Sequence, residues 1–485
     1  ALDKDHCETL DRLVCCGKAT TNETNGSKAF RYVYIEADVD YEHLCMDYEY
    51  APFDINHSGS FRCNDDELNR IWDVGAYTMD LTTREFFTDG IKRDRWIWSG
   101  DAIQSYLMNY YLRFDIECVK RTIRQLRGKD PVTSHVNTIM DYTFYWFKSI
   151  EDYYLYTGDV EFVREVYPRM KTLMDYCLSR TNSDGLMEGQ PDDWIFVDWV
   201  DFPMHKRGAL CFEQILFCKS LEVMKTCATI LRDNPLPNPP QGSVTSEIYN
   251  QDANLFFSLS KHTVSKLKTI YLDKENNTFI HAIENGERNE MITKFPNMFA
   301  ILYDYVSEKE KQDIMENVML NDNIEKITTP YMRFYELETL CMMGYQSKVL
   351  DEIKNYWGGM LKEGATTFWE KYNPSEKGTQ HLAMYGRPYG KSLCHAWGAS
   401  PIYILGKYFL GVQPTKPGYE EYIVKPSLGG LEWMEGDVPT PFGKIHVKMN
   451  QHSVHVLSDG GHGTLIIGER QIAILPHQEI VINYE

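Results

Sequence analysis

Apolar residues recur at intervals of three and four from about Asn64 to Val412, and beyond Val412 the interval drops to two. That change of period restricts the chain to a large helical body with β-structure attached, because residues spaced for one helix face fall on both faces of a strand. The first stripe, Leu68, Ile71, Trp72, Gly75 and Met79, follows Asn64 and Glu67, which read as a capping box. A second, Phe162, Val163, Val166, Tyr167, Met170, Met174 and Cys177, begins after Asp159, a candidate cap. Further helices are predicted near 210–231, 246–267, 297–305, 308–318 and 331–343, with the proline-rich stretch 235–240 as a surface turn between two of them. At the usual ~12 residues per helix plus connections, some ten to twelve helices fit into residues 61–412. That number suggests helical hairpins packed in a ring.

The remaining segments read as β-structure. Ile445, Val447 and Met449 alternate with Lys444, His446 and Lys448, and further strands are predicted at 453–457, 464–467, 471–475 and 479–483. Residues 413–485 are therefore expected to form a small antiparallel β-domain. Residues 1–60 carry alternating runs such as Phe30-Arg31-Tyr32-Val33-Tyr34-Ile35, but a segment of that length does not readily close a sheet and cover both its faces. It reads as the C-terminal remnant of an upstream β-domain plus its linker.

Charge and composition narrow the partners. With 70 acidic against 50 basic residues in 485, the formal net charge is −20, which repels phosphate backbones and anionic surfaces and argues against nucleic acid as a partner. No run approaches the ~18 apolar residues that span a bilayer, so membrane insertion is not expected. A homo-oligomer is compatible with the composition. The 12 cysteines lack Cys-x-x-Cys or Cys/His ligand spacing and read as buried free thiols. His452 and His455, three apart on a strand, face opposite ways and make a poor metal pair. Without a Gly-rich phosphate loop, a His-Glu-x-x-His or a Gly-x-Ser-x-Gly, nucleotide, zinc and serine-hydrolase chemistries lack support; no cofactor and no metal-ligating residue is assigned, and a structural calcium stays open. The chain starts at Ala1 without the basic and apolar regions of a signal peptide, which reads as a processed or trimmed N-terminus. A secreted or periplasmic location is expected over a cytoplasmic one.

Chemistry concentrates in three segments. Residues Thr88 to Asp101 hold three carboxylates, three bases and two tryptophans. Asp101, before a helical stretch, reads as an N-cap as well as a functional acid. Asp94, a loop carboxylate between arginines and beside indoles, suits chemistry as well as a salt bridge. The second segment, Thr366 to Tyr372, leads through the polar, Gly- and Pro-bearing loop 373–390 to Ser392–Gly398. Long irregular loops in a helical domain serve binding more often than packing, although Glu370 could simply pair with Lys371 or Lys377, and His395 could be structural. The third segment interleaves Asp192, Asp193, Asp198 and Asp201 with Trp194 and Trp199. Sugars offer C–H faces that stack on indoles and hydroxyls that carboxylates grip. Six of the ten tryptophans (Trp96, Trp98, Trp194, Trp199, Trp369, Trp397) lie in these segments, and core packing alone would not gather them beside acids.

Four motifs in order carry a family resemblance. They are Asp89-Gly90-Ile91-Lys92-Arg93-Asp94-Arg95 with Trp98 and Gly100-Asp101; Thr367-Phe368-Trp369-Glu370; Ser392-Leu393 and His395 with Trp397-Gly398-Ala399; and Pro426, Gly429-Gly430, Pro441 and Gly443-Lys444. Together they resemble the landmarks of the α-L-rhamnosidases of glycoside hydrolase family 78, from about residue 30 to the C-terminus. The resemblance implies a mainly α fold with β appendages, an (α/α)6 barrel at 61–412 followed by a small β-sandwich domain. It also implies an inverting hydrolase acting on a rhamnoside, with Asp94 as general acid and Glu370 as general base, the two roughly 6.5–9.5 Å apart. Where many members carry Glu at the acid position, this chain has Asp94. By the same resemblance Asp89, Arg93 and Asp101 hold rhamnose hydroxyls, and Trp98, Trp199, Trp369 and His395 contribute to substrate binding. A general acid near neutral pH needs a raised pKa, which Trp96 and Trp98 would supply by desolvation and which Arg93 and Arg95 would oppose. The residues themselves leave open another inverting (α/α)6 glycosidase or phosphorylase, or a non-catalytic carbohydrate-binding protein.

Overall fold

The computed structural model describes residues 57–92, 94–237 and 244–484. The expected upstream β remnant, save its last residues, and Arg93 therefore lie outside the described residues. Twelve α-helices succeed one another among the described residues: α1 (Asp66–Thr82), α2 (Ser99–Leu112), α3 (Ile116–Arg127), α4 (Met140–Thr157), α5 (Val160–Ser179), α6 (Cys211–Asp233), α7 (Ser246–Tyr271), α8 (Lys294–Leu302), α9 (Glu308–Ile314), α10 (Pro330–Met342), α11 (Gln346–Lys362) and α12 (Pro401–Ile404). α9 and α12 each continue into a π-turn, Met315–Met319 and Leu405–Phe409.

Burial alternates along this series. Every residue of α2 is buried, as are most of α4, α6, α8, α10 and α12. By contrast α1, α3, α5, α7 and α11 each bury a stripe. A helix buried all round belongs inside, and a striped one belongs outside with its polar face in water. The even-numbered helices thus form the inner ring of a six-hairpin barrel and the odd-numbered ones its outer ring.

Several local details depart from expectation. The cap of α1 is Asp65, whose Oδ1 accepts the Glu67 and Leu68 N–H groups at 3.0 and 3.1 Å. Asn64, expected there, instead accepts the Glu432 N–H at 2.9 Å and so ties the start of α1 to the C-terminal domain. Asp159 does cap α5, accepting the Phe162 N–H at 3.0 Å. Asp101 is not a cap: Trp98 occupies that position and Asp101 lies inside the first turn of α2. A short sheet of Ala209–Leu210, Leu272–Asp273, Thr278–Glu284 and Glu287–Ile292 interrupts the helical domain. Its hairpin turns at Asn285-Gly286, both with positive φ, the dipeptide best suited to a two-residue turn.

The C-terminal region packs two sheets. Five antiparallel strands lie in the order Ser60–Cys63, Trp433–Thr440, Gly443–Asn450, Ser453–Ser458, Ile480–Asn483. The second sheet orders Arg470–Ile474, His462–Ile467, Glu421–Val424 and Val412–Pro414, and its central pair, Glu421–Val424 with His462–Ile467, is parallel rather than antiparallel. Inward residues Met434, Ile445, Val447, Val454 and Val456 of one sheet and Val424, Leu465 and Ile474 of the other are buried in one core. The strand at Ser60–Cys63 binds the start of the helical domain into the first of these sheets.

Candidate active site

One cleft gathers residues from the connections that enter the inner helices. Asp89, Asp94 and Trp98 precede α2; Ile139 precedes α4; Trp194, Phe196 and Trp199 precede α6; Glu370, Tyr385, His395 and Trp397 precede α12. Asp101 and Tyr142 come from the first turns of α2 and α4. The proposed acid and base thus face a common cavity.

Backbone pairing between distant motifs sets this geometry. Gly90 and His395 form an antiparallel bridge, the Ala396 N–H donates to the Asp89 carbonyl at 2.7 Å, and the His395 N–H donates to the Phe368 carbonyl at 2.9 Å. Glycine is required at position 90, where a Cβ would lie 2.8 Å from the Cys394 carbonyl oxygen. Asp89 closes its own loop: its Oδ1 accepts the Trp96 N–H at 2.9 Å and its N–H donates to the Trp96 carbonyl at 3.0 Å. Asp94 sits on that loop, exposed to solvent. Glu370 is only 1 % exposed. Its Oε2 accepts the Ser392 N–H at 3.0 Å, its Oε1 accepts the Tyr385 hydroxyl, and its carbonyl accepts the Trp397 indole N–H at 2.9 Å. Both carboxylate oxygens are thereby held in place by donors.

The deeper acids have the opposite electrostatic character. Burial pushes the Asp89 carboxyl up to about 6, with the charges of Asp101 and Asp94 adding to the effect and His395 opposing it. Burial likewise raises Asp101, even though its carboxylate accepts hydrogen bonds from His395 Nε2 at 3.2 Å and the Tyr142 hydroxyl at 3.1 Å. For His395, burial disfavours the cation, but the bond to Asp101 and the charges of Glu370, Asp101 and Asp89 outweigh it and raise its pKa. The floor is therefore a shared acid–imidazole cluster that donates and accepts hydrogen bonds at short range.

The third segment contributes rings and keeps its acids out of the cleft. Asp192 and Asp193 pair with Arg180 at 3.0 and 2.8 Å. Asp201 pairs with Lys371 and accepts the Thr328 hydroxyl at 2.8 Å. Asp198 accepts the Thr329 hydroxyl at 2.7 Å and the Trp199 N–H at 2.8 Å, and burial pushes its carboxyl up to about 7. Val197 takes a φ of 53°, costly for a β-branched residue. Its N–H donates to Asp141 Oδ2 at 2.8 Å, while Lys206 Nζ donates to the carbonyls on either side, those of Phe196 and Asp198. This clamp turns Phe196 and Trp199 toward the cleft, their rings 4.9 Å apart.

Of the residues expected from sequence, Asp89, Asp94, Trp98, Asp101, Trp199, Glu370 and His395 line the cleft, and Arg93 lies outside the described residues. Trp369 is not among the lining residues; it is buried with its ring against Tyr372 and His381. Trp98 lines the cleft with Asp94, whereas Trp96 is 59 % exposed and is not among the lining residues. Sequence reading missed Tyr142, Phe196, Ile139 and Tyr385. Tyr385 had one usable signal, its place in the long loop between Glu370 and His395. Among the described residues no group of three or more His, Cys, Asp or Glu could hold a metal ion, and no helix is long and apolar enough to cross a membrane.

Comparison with known proteins agrees with this architecture. Residues 56–409 match the bacterial alpha-L-rhamnosidase 6 hairpin glycosidase domain and residues 411–459 the bacterial alpha-L-rhamnosidase C-terminal domain. An alpha-L-rhamnosidase of Alteromonas sp. (strain LOR) is 23 % identical over 326 residues, covering 62 % of this chain and 31 % of the relative. One from Formosa agariphila is 26 % identical over 174 residues, covering 30 % of this chain and 18 % of the relative. The chain thus spans under a third of the length of these relatives. Among solved structures, a GH78 family rhamnosidase of Bacillus sp. GL1 shares the fold with a TM-score of 0.73 at 23 % identity, covering 86 % of this chain and 43 % of that one.

Proposed function

The chain belongs to the bacterial α-L-rhamnosidase six-hairpin glycosidase family, and from that premise we propose that it releases terminal α-L-rhamnose from rhamnosides by hydrolysis with inversion. The observation that carries this reading is the shared cleft: an exposed carboxylic acid at Asp94 and a buried, doubly hydrogen-bonded carboxylate at Glu370 face one cavity floored by further acids. Inverting hydrolysis needs one acid to protonate the leaving oxygen and one carboxylate across the ring to activate water. Asp94 gives its proton to the glycosidic oxygen as the C1–O bond breaks. Glu370 takes a proton from the water whose oxygen bonds to C1 from the opposite face, so that the first product is β-L-rhamnose. Asp89, Asp101 and His395 grip ring hydroxyls, and Trp98 and Trp199 offer faces to the apolar side of the ring. Arg93 joins this set by its place in the motif. A secreted or periplasmic location goes with this reading as an expectation, which fractionation of the native host checks.

Proton NMR of the first sugar formed from an α-L-rhamnoside is the direct test. β-L-rhamnose is expected, and α-L-rhamnose as the initial product refutes inversion. Asp94→Asn is expected to cost at least a hundredfold in kcat with the fold intact. Glu370→Gln should lose water attack and regain turnover with azide as a β-configured glycosyl azide; a near-normal rate without azide rejects the base assignment. One observation favours a second choice of acid: Asp89, pushed up to about 6, lies in the same cleft. Near-normal turnover by Asp94→Asn moves the acid role to Asp89.

A further inference from the structure

Depth orders the cleft. Asp89, Asp101, Glu370 and His395, at most 4 % exposed, make its floor, whereas Asp94 stands exposed at the mouth. On the proposed mechanism, on which this inference rests, the floor holds the sugar hydroxyls and the acid stands beside the leaving oxygen. The leaving group must therefore project past Asp94 toward solvent. Two cleft-lining rings remain 42 % exposed, Trp194 and Tyr385. Both touch Trp199, with ring centroids 6.2 and 5.1 Å away respectively. The aromatic wall beside the sugar thus continues without a break to the rim.

Neither ring is spare surface. The backbone of Trp194 is fixed on both sides, its N–H donating to the Thr138 carbonyl at 3.2 Å and its carbonyl accepting the Met140 N–H at 2.9 Å. Tyr385 is fixed through its hydroxyl to Glu370. Holding two large rings half in water costs hydration free energy, which a flat apolar face laid on them would recover. We infer that Trp194 and Tyr385 form a subsite for the leaving group, and that this subsite takes leaving groups that are themselves rings with an apolar face. A phenolic aglycone and a second sugar residue both fit that description; a short alkyl group covers neither ring.

The test compares Trp194→Ala and Trp194→Phe with the wild type on three substrates: p-nitrophenyl α-L-rhamnoside, an α-L-rhamnosyl glucose disaccharide and methyl α-L-rhamnoside. Taking each variant-to-wild-type ratio of kcat/KM separately cancels the intrinsic reactivity of the leaving groups. Trp194→Ala should lose about tenfold more on a ring leaving group than on methyl, and Trp194→Phe should restore most of it. Selective loss on the aryl substrate alone identifies a phenolic ligand, on the disaccharide alone a sugar, and on both a subsite open to either. Losses equal on all three substrates overturn the subsite while leaving the hydrolase reading in place. A wild-type chain that hydrolyses none of the three fails at the function itself and takes this inference with it.

Discussion

Asp89→Asn should make the protein more stable while disabling it, and by an amount that depends on pH. The native Asp89 carboxyl keeps its proton up to about 6, against 3.8 for the ordinary group. Between those values the folded state binds more protons than the unfolded one, so stability falls as pH rises through the window and stays lowered above it. A difference of about two pH units at about 1.4 kcal/mol each makes the ionised Asp89 a cost of about 3 kcal/mol at pH 7.5. Asparagine keeps an oxygen to accept the Trp96 N–H and has no charge to desolvate. At about 2.1 cal/mol/K per residue the unfolding entropy is of order 1 kcal/mol/K, so the gain corresponds to roughly 3 °C in Tm. Scanning calorimetry at pH 7.5 and at pH 4 measures it: the variant should melt higher at pH 7.5 and within about 1 °C of wild type at pH 4. An equal gain at both values, or none at pH 7.5, refutes the argument that buried charge at this position opposes folding. Loss of activity in the same variant would tie that cost to the grip on substrate.

Three further outcomes follow from the geometry. Gly100→Ala places a Cβ 2.4 Å from Tyr142 Cε1 and 2.5 Å from the Tyr331 hydroxyl, so it should cost about 2 kcal/mol and lower kcat/KM as Tyr142 is displaced from Asp101, both read by melting and steady-state kinetics. Lys206→Met removes the donor to the carbonyls flanking Val197; KM should rise more than kcat falls as the Phe196 and Trp199 rings lose their setting, and the reverse pattern would refute a positioning role. Tyr385→Phe keeps the ring but removes the hydroxyl that orients Glu370, and a loss of about tenfold in kcat is expected for one hydrogen bond to a charged group. Unchanged kcat would show that the Tyr385 hydroxyl is not needed to orient Glu370.

The sequence made the floor of the cleft legible because its acids and indoles sit in connections, where core packing does not call for them. The inner helices are wholly or mostly buried, so most of their residues are committed to packing, and the segments that lead into them, with first-turn residues such as Asp101 and Tyr142, are the parts free to carry chemistry. That is why Asp89, Asp94, Glu370 and His395 stand out in a linear reading. The same reasoning overreached in the third segment. There Asp192, Asp193, Asp198 and Asp201 sit beside tryptophans as a carbohydrate site would require, yet each carboxylate turns toward Arg180, Thr329 or Lys371. What decides their direction is the left-handed Val197 and its clamp of Asp141 and Lys206, contacts that no local pattern predicts. Trp369 likewise lies outside the lining set because its ring packs against Tyr372 and His381, contacts that its place beside Glu370 in the sequence does not reveal. Composition therefore locates a candidate site segment, but which of its residues face the cleft is settled by the backbone conformation that other elements impose.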